Sequence, residues 1–143
     1  MLWTHPDHRP VSPRRDAPTI LVVDNDNAIR DLAETVLRHA GYRVLTAPDG
    51  VTAFRLLERH PDIDLLFTDI VMPKIDGLML ADMAKLRRPH LKVLYATAYR
   101  DEMNRQPGYR YGEILPKPYR ARDIEAAVRY ALAAPPMRVH PAA

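Results

Sequence analysis

In Leu65-Leu66-Phe67-Thr68-Asp69-Ile70-Val71-Met72-Pro73, an acid directly follows an apolar run. A short continuous apolar run is typical of a strand buried on both faces of a parallel sheet. In open parallel sheets, ligands bind at the carboxyl ends of the strands. The stretch therefore predicts a parallel α/β sheet, with Asp69 as the first candidate functional residue.

Apolar runs and helical patterns alternate on both sides of this stretch. Strands are predicted at 19–23, 42–46, 64–68, 92–96 and 113–115, and helices at about 27–40, 49–60, 76–87 and 119–134. Regular alternation indicates βαβ crossovers, so the sequence predicts a flavodoxin-like, doubly wound α/β domain. Its five parallel strands should have the order 2-1-3-4-5, with helices on both faces. Between residues 99 and 112, Gln106-Pro107-Gly108 interrupts the pattern, so a fourth helix there is expected to be short or irregular.

Length and composition limit the classes of protein to consider. The 143 residues are expected to form one domain at 19–134, after a flexible Pro-rich leader at 1–18 and before a tail at 135–143. The chain has no Cys, which excludes disulfides and thiolate metal sites. No apolar stretch reaches roughly eighteen residues and no signal peptide is recognisable, so a cytoplasmic protein is expected. The net charge of +3 is spread along the chain and does not indicate nucleic-acid binding.

A second acid is predicted to lie beside Asp69. Asp24 follows the apolar run Ile20-Leu21-Val22-Val23, and strands one and three are neighbours in the predicted order. Asp24, Asn25 and Asp69 should therefore converge at one edge of the sheet. Carboxylates that cluster repel each other unless a cation offsets them. Oxygen ligands without His or Cys suit a hard ion such as Mg²⁺, whose coordination phosphate oxygens can complete.

Two further polar residues are predicted at the same edge. Thr97 ends the fourth strand, and Lys117 follows the fifth. A hydroxyl and a fixed cation at these positions could bind the oxygens of a phosphoryl group on Asp69. Taken singly, Thr97 could equally be an ordinary strand residue and not a functional one. Lys117 could likewise be an ordinary surface lysine. Their order relative to Asp69 favours a functional site.

Five motifs in order resemble the receiver domain of two-component response regulators, over roughly residues 19–134. They are Val22-Val23-Asp24-Asn25, then Asp69 with Met72-Pro73 and Asp76-Gly77, then Thr97-Ala98, and finally Lys117-Pro118. Each motif is weak alone, whereas five in this order are specific. The sequences around Thr97 and Lys117 are most similar to those of stand-alone and hybrid-kinase receivers.

The resemblance implies that Asp69 accepts a phosphoryl group from a phosphohistidine on a histidine kinase or a histidine phosphotransfer protein. In that family Mg²⁺ would be held by Asp24, Asn25, Asp69 and the backbone carbonyl of Val71. Thr97 would move to meet the phosphoryl group and Lys117 would salt-bridge it, with the Lys117-Pro118 bond typically cis.

On this interpretation the chain is a single-domain signalling module and not an enzyme. It would act by contact with an unknown downstream protein, as a relay, a phosphate sink or a docking regulator. Neither a nucleic acid nor a membrane is an expected partner, and a homodimer is left open. Donor contact is expected around Asn27, Arg30 and residues 117–119.

The chain departs from the family pattern at two positions. Asn25 stands where the family usually has a second acid, so weaker Mg²⁺ binding is expected. Ile114, three residues before Lys117, stands where the family commonly has a Tyr or Phe that turns inward when Thr97 moves. An aliphatic residue cannot make the same switch.

Two other functions are considered. Residues 20–26 also resemble the strand and Asp-x-Asp motif of haloacid-dehalogenase-type phosphohydrolases, with Asp24 as nucleophile and Asp26 as general acid. That family needs a further acidic pair after the lysine, and here only Asp123 and Glu125 follow, inside the last predicted helix. The third hypothesis is a receiver-like binding module that does not accept phosphate, which Asn25 favours.

Overall fold

The computed structural model describes residue 13 and residues 16–98 and 111–135. Its sheet consists of β1 (Thr19–Val23), β2 (Arg43–Ala47), β3 (Ile63–Asp69), β4 (Lys92–Thr97) and β5 (Ile114–Pro116). The described helices are α1 (Asn27–His39), α2 (Gly50–Arg59), α3 (Gly77–Arg87) and α4 (Ala121–Ala133). All strand pairs are parallel, in the order β2-β1-β3-β4-β5. The predicted flavodoxin-like fold is therefore confirmed.

Several predicted features fall partly or wholly outside the described residues. The irregular fourth helix was expected within 99–112, of which the structure describes only the last two residues. Most of the leader and most of the tail also lie outside, so all three remain predictions. None of the described helices is long and apolar enough to span a bilayer.

The core has two layers, one on each face of the sheet. Leu21 and Leu66 pack with residues of α2 and α3, whereas Ile20, Leu65 and Phe67 pack with residues of α1 and α4. Successive side chains of a strand point to opposite faces. Because both faces are covered by helices, the central strands read as continuous apolar runs.

Aspartate side chains start the three helices that follow β1, β2 and β3. Asp26 accepts hydrogen bonds from the backbone N–H groups of Ala28 and Ile29, and so caps α1. Asp49 and Asp76 cap α2 and α3 in the same way. These side chains satisfy N–H groups that have no partner within the helix.

The strand register places the candidate residues at one edge. Val23 pairs with Thr68, and Asp69 pairs with Ala96. Asp24 follows Val23 and Thr97 follows Ala96, so both lie beside the carboxyl end of β3. Small differences from the predicted bounds, such as the inclusion of Asp69 in β3, do not alter this placement.

Candidate functional site

Two buried acids lie at the carboxyl edge of the sheet. Asp24 is 3% exposed and Asp69 is 7% exposed. Asp24 directly follows β1, and its Oδ1 accepts the backbone N–H of Asp26 at 2.9 Å. Since buried carboxylates are rarely left without a compensating charge, a cation is expected between them.

Lys117 supplies that cation. Its Nζ lies 2.8 Å from Oδ2 of Asp24 and 3.3 Å from Oδ2 of Asp69. The Lys117 backbone N–H donates to the carbonyl of Thr97 at 2.9 Å, which ties the end of β5 to the end of β4. The Lys117-Pro118 peptide is cis, as the resemblance implied. One ammonium group therefore bridges two acids from different strands.

The charges in this cluster shift the pKa values of its members. Burial raises the pKa of Asp69 above its usual value, and the charge of Asp24 adds to this effect, although Lys117 opposes it. Burial alone would lower the pKa of Lys117, but its hydrogen bond to Asp24 and the charge of Asp69 outweigh burial and raise it. Lys117 thus stays protonated, and Asp69 is more basic than an ordinary aspartate.

The loop between β3 and α3 packs closely against the backbone of Asp69. A Cβ atom at Gly77 would lie 2.2 Å from the Asp69 carbonyl oxygen, which leaves no space for a side chain. The Gly77 N–H also donates to the carbonyl of Ile70 at 2.8 Å. Lys74 in the same loop has φ 68°, in the left-handed region. The Asp76-Gly77 motif thus gives α3 its start and fixes the backbone behind the acid.

The other predicted site residues adjoin the cluster in different ways. Thr97 is fully buried at the end of β4 and joined to Lys117 through the backbone. Asn25 is exposed next to Asp24. Val71 is 51% exposed, and hydrogen bonding by its backbone acts to lower the pKa of the Asp69 carboxyl. The structure therefore brings Asp24, Asp69 and Lys117 into direct contact and places the remaining residues beside them.

The donor atoms at this edge fit a hard divalent cation. Two buried carboxylates and one ammonium leave the cluster with a surplus negative charge, which a cation would offset. Among the described residues, no group of three or more His, Cys, Asp or Glu side chains could hold a metal ion. A complete oxygen ligand set would therefore also need the amide of Asn25 or a backbone carbonyl, and would include water or phosphate.

Arg30 contacts the backbone of Asp24, and the sequence did not predict this contact. Its guanidinium donates to the backbone carbonyl of Asp24 at 2.7 Å and to Oδ1 of Asn27. Its position in the first turn of α1 suggested partner contact, but not this bond. The available signal was helical spacing, because residues 27 and 30 lie on one side of a helix.

Comparisons with known proteins bear on the family and the fold of the chain. The sequence profile of the family described as response regulator receiver domain matches residues 20–129. The response regulator receiver protein CpdR of Brucella abortus (strain 2308) is 36% identical over 107 residues, which are 73% of this chain and 88% of that protein. The receiver domain of the hybrid histidine kinase CckA is 33% identical with a TM-score of 0.68, covering 80% of this chain and 98% of that chain.

Many of the similar proteins are longer than the region they share with this chain. The transcriptional regulatory protein CpxR of Escherichia coli (strain K12) is 36% identical over 113 residues, which are 77% of this chain but 47% of that protein. The chain thus spans about half the length of such curated relatives. Because the family profile covers most of the chain and the fold and sequence agree with it, the chain belongs to the response regulator receiver domain family, a family of two-component signalling modules.

Proposed function

We propose that Asp69 accepts a phosphoryl group from a phosphohistidine on a histidine kinase or a histidine phosphotransfer protein. The observation that carries the proposal is the Lys117 ammonium, which lies between the carboxylates of Asp24 and Asp69. This arrangement holds a cation next to the atom that would become phosphorylated. A buried carboxylate with a raised pKa that lies close to a fixed cation is suited to accept a phosphoryl group.

In the transfer, an Asp69 carboxylate oxygen attacks phosphorus, a P–O bond forms and the P–N bond to the donor histidine breaks. The imidazole leaves and takes up a proton. Lys117 would then pair with the new phosphoryl oxygens, and the Thr97 hydroxyl would bind one of them. Asp24, Asn25, Asp69 and the Val71 carbonyl would hold Mg²⁺, whose charge would offset that of the phosphoryl oxygens.

Acetyl phosphate tests this proposal without a partner protein. We expect Mg²⁺-dependent addition of one phosphoryl group, mapped to Asp69 by mass spectrometry after reductive trapping. The Asp69→Asn variant should show no addition, and Asp62→Asn, which changes an exposed acid, should behave like the wild type. Absence of an adduct at high Mg²⁺ would instead support a binding module that does not accept phosphate.

The same experiment separates the phosphohydrolase alternative, in which Asp24 is the nucleophile. Both Asp24 oxygens are already engaged, one by Lys117 and one by the Asp26 N–H. Asp26 accepts two backbone N–H groups as the cap of α1, which is a structural role. The geometry therefore favours Asp69, and an adduct on Asp24 with phosphatase turnover would reverse this assignment.

The donor protein would dock on an apolar groove beside the acids. The groove lies between α1 and the start of α4 and is lined by Ile29, Leu32, Ala98, Lys117, Pro118 and Tyr119. The Tyr119 ring packs 6.2 Å from that of Phe67 in β3. Burial raises the pKa of Tyr119, so this side chain stays neutral next to the acids. The groove thus offers a mostly apolar surface that ends at Lys117.

The wider biological role follows from the same proposal. Phosphorylation would be read by contact with a downstream protein, in a relay, as a phosphate sink or through a docking event. We further propose that residues 19–134 act as one domain in the cytoplasm.

A further inference from the structure

Tyr111 is a buried tyrosine outside the phosphoryl site that is bound to α3 at two points. It is 7% exposed, and its hydroxyl donates to Oδ1 of Asp82 at 2.8 Å. The ammonium of Lys85 lies 5.5 Å from the centre of its ring. Lys85 is itself buried and donates to the carbonyls of Pro89 and Leu91 at 2.7 and 2.8 Å. Tyr111 is therefore attached to α3 through a hydrogen bond and a cation–π contact.

At Gly112, the residue after Tyr111, the backbone packs directly against the backbone of β4. A Cβ atom at Gly112 would lie 1.7 Å from the carbonyl oxygen of Val93, so only glycine fits there. One residue later, the Glu113 carbonyl accepts the backbone N–H of Tyr95 at 2.9 Å. The pair Tyr111-Gly112 thus determines where β5 begins.

β5 is a short strand whose backbone is hydrogen-bonded to β4 at both ends. It comprises three residues, Ile114–Pro116, all of which are half-buried, and among the described strands its one partner is β4. Pro116 has no N–H to donate to the ladder. Lys117 follows immediately, so a small slide of β5 along β4 would carry the Lys117 backbone away from the two acids.

We propose that Tyr111 is a positioning residue for Lys117. Its bond to Asp82 holds the start of β5 against α3, and this attachment keeps the Lys117 ammonium within reach of Asp24 and Asp69. The role assigned to Lys117 in phosphoryl transfer rests on the proposed function, whereas its placement by Tyr111 does not.

Chemical labelling of lysines in the unphosphorylated protein tests the placement. Tyr111→Phe keeps the ring but removes the bond to Asp82, and we expect Lys117 to be acylated several-fold faster than in the wild type. Labelling of Lys92, whose ammonium donates to the carbonyl of Leu132, should not change. Tyr130→Phe, on the exposed side of α4, is the matched control. Equal labelling of Lys117 in Tyr111→Phe and wild type would overturn the proposal, as would a parallel rise at Lys92.

Two variants at Asp82 check the same bond from α3. Asp82→Ala should reproduce the faster labelling of Lys117, because the hydroxyl of Tyr111 loses its acceptor. Asp82→Asn keeps an acceptor oxygen and should behave like the wild type. Equal effects of the two substitutions would contradict a role for this hydrogen bond.

Phosphorylation by acetyl phosphate gives an independent readout. Tyr111→Phe should slow phosphorylation of Asp69 by roughly tenfold, since small displacements of a catalytic group are costly. In a Lys117→Ala background the same substitution should have no further effect. An equal slowing in both backgrounds would overturn the proposal. If the wild type is not phosphorylated at all, the proposed function fails, while lysine labelling still decides the role of Tyr111.

Discussion

At the scale of single residues, Asp69 carries an electrostatic cost that Lys117 only partly offsets. Burial and the neighbouring Asp24 raise the pKa of Asp69, which means that its charged form is disfavoured in the folded protein. The folded protein is therefore less stable with a charged side chain at position 69 than it would be with a neutral one of the same size. The cost is consistent with a carboxylate kept for chemistry, because functional sites commonly contain groups with shifted pKa values.

Replacing Asp69 by Asn should therefore stabilise the protein at neutral pH. Because the folded-state pKa is raised, the stability due to Asp69 is fully present below the unfolded value of 3.8 and is lost as pH rises through the folded pKa. The advantage of Asp69→Asn should accordingly appear as pH rises and vanish on acidification. Thermal unfolding measured from acid to neutral pH, with Asp62→Asn as control, checks this. A variant less stable than wild type at neutral pH would contradict the direction assigned here.

The amide of Asn25 is one of the ligands in the proposed Mg²⁺ site, where the family usually has an acid. An acid in its place would restore a negative charge beside Asp24, so Asn25→Asp should bind Mg²⁺ more tightly, by roughly tenfold. Titration of Mg²⁺ against the intrinsic fluorescence or the NMR spectrum of both forms provides the measurement. Equal dissociation constants would show that the amide at this position does not limit metal binding.

At the scale of elements, the approach of α3 to β3 determines how the acid is held. Gly77 starts α3 directly behind the Asp69 carbonyl, and Asp76 caps the helix by accepting the N–H of Met79 at 2.8 Å. The sequence predicted a helix starting near Asp76. It did not predict that the backbone of the two elements would touch, because close approach depends on how the helix packs.

Gly77→Ala should consequently disturb both stability and the site. The added methyl group would meet backbone atoms of Asp69 and Ile70, which cannot move aside without shifting β3. We expect a loss of about 1–3 kcal/mol in the free energy of unfolding, with slower phosphorylation. In the matched variant Gly50→Ala the methyl group mainly meets the side chain of Ile75, so a smaller loss is expected. Chemical denaturation measures both, and equal losses would argue against the backbone contact.

In the molecule as a whole, the two ends of the sheet differ in the groups that they carry. The carboxyl edge carries the acids, Lys117 and the apolar groove. At the opposite end, Arg88 donates to backbone carbonyls of residues 60, 61 and 63, and Lys92 donates to the carbonyl of Leu132. These cations join the ends of neighbouring elements, whereas the carboxyl edge carries the residues of the proposed phosphorylation site.

Donor recognition can be separated from chemistry on this scale. Leu32→Asp places a charge in the apolar groove and should slow phosphotransfer from a phosphohistidine protein by about tenfold. The rate with acetyl phosphate should stay unchanged, because the small donor does not need the groove. Leu86→Asp, on the far more exposed side of α3, serves as control. Slowing of both donors by Leu32→Asp would instead indicate damage to the site itself.

The type and order of the described elements could be predicted from local periodicity, helix caps and the apolar run before Asp69, because these patterns do not depend on tertiary contacts. The same patterns also placed Asp24, Asp69, Thr97 and Lys117 at one edge, since parallel strands end together. Which of these groups are in contact could not be predicted and is seen in the folded structure. The 2.8 Å pair of Lys117 and Asp24 joins residues 93 positions apart, and the Tyr111 bond to Asp82 spans 29. Such contacts depend on how helices and strands pack in three dimensions, which no local pattern specifies.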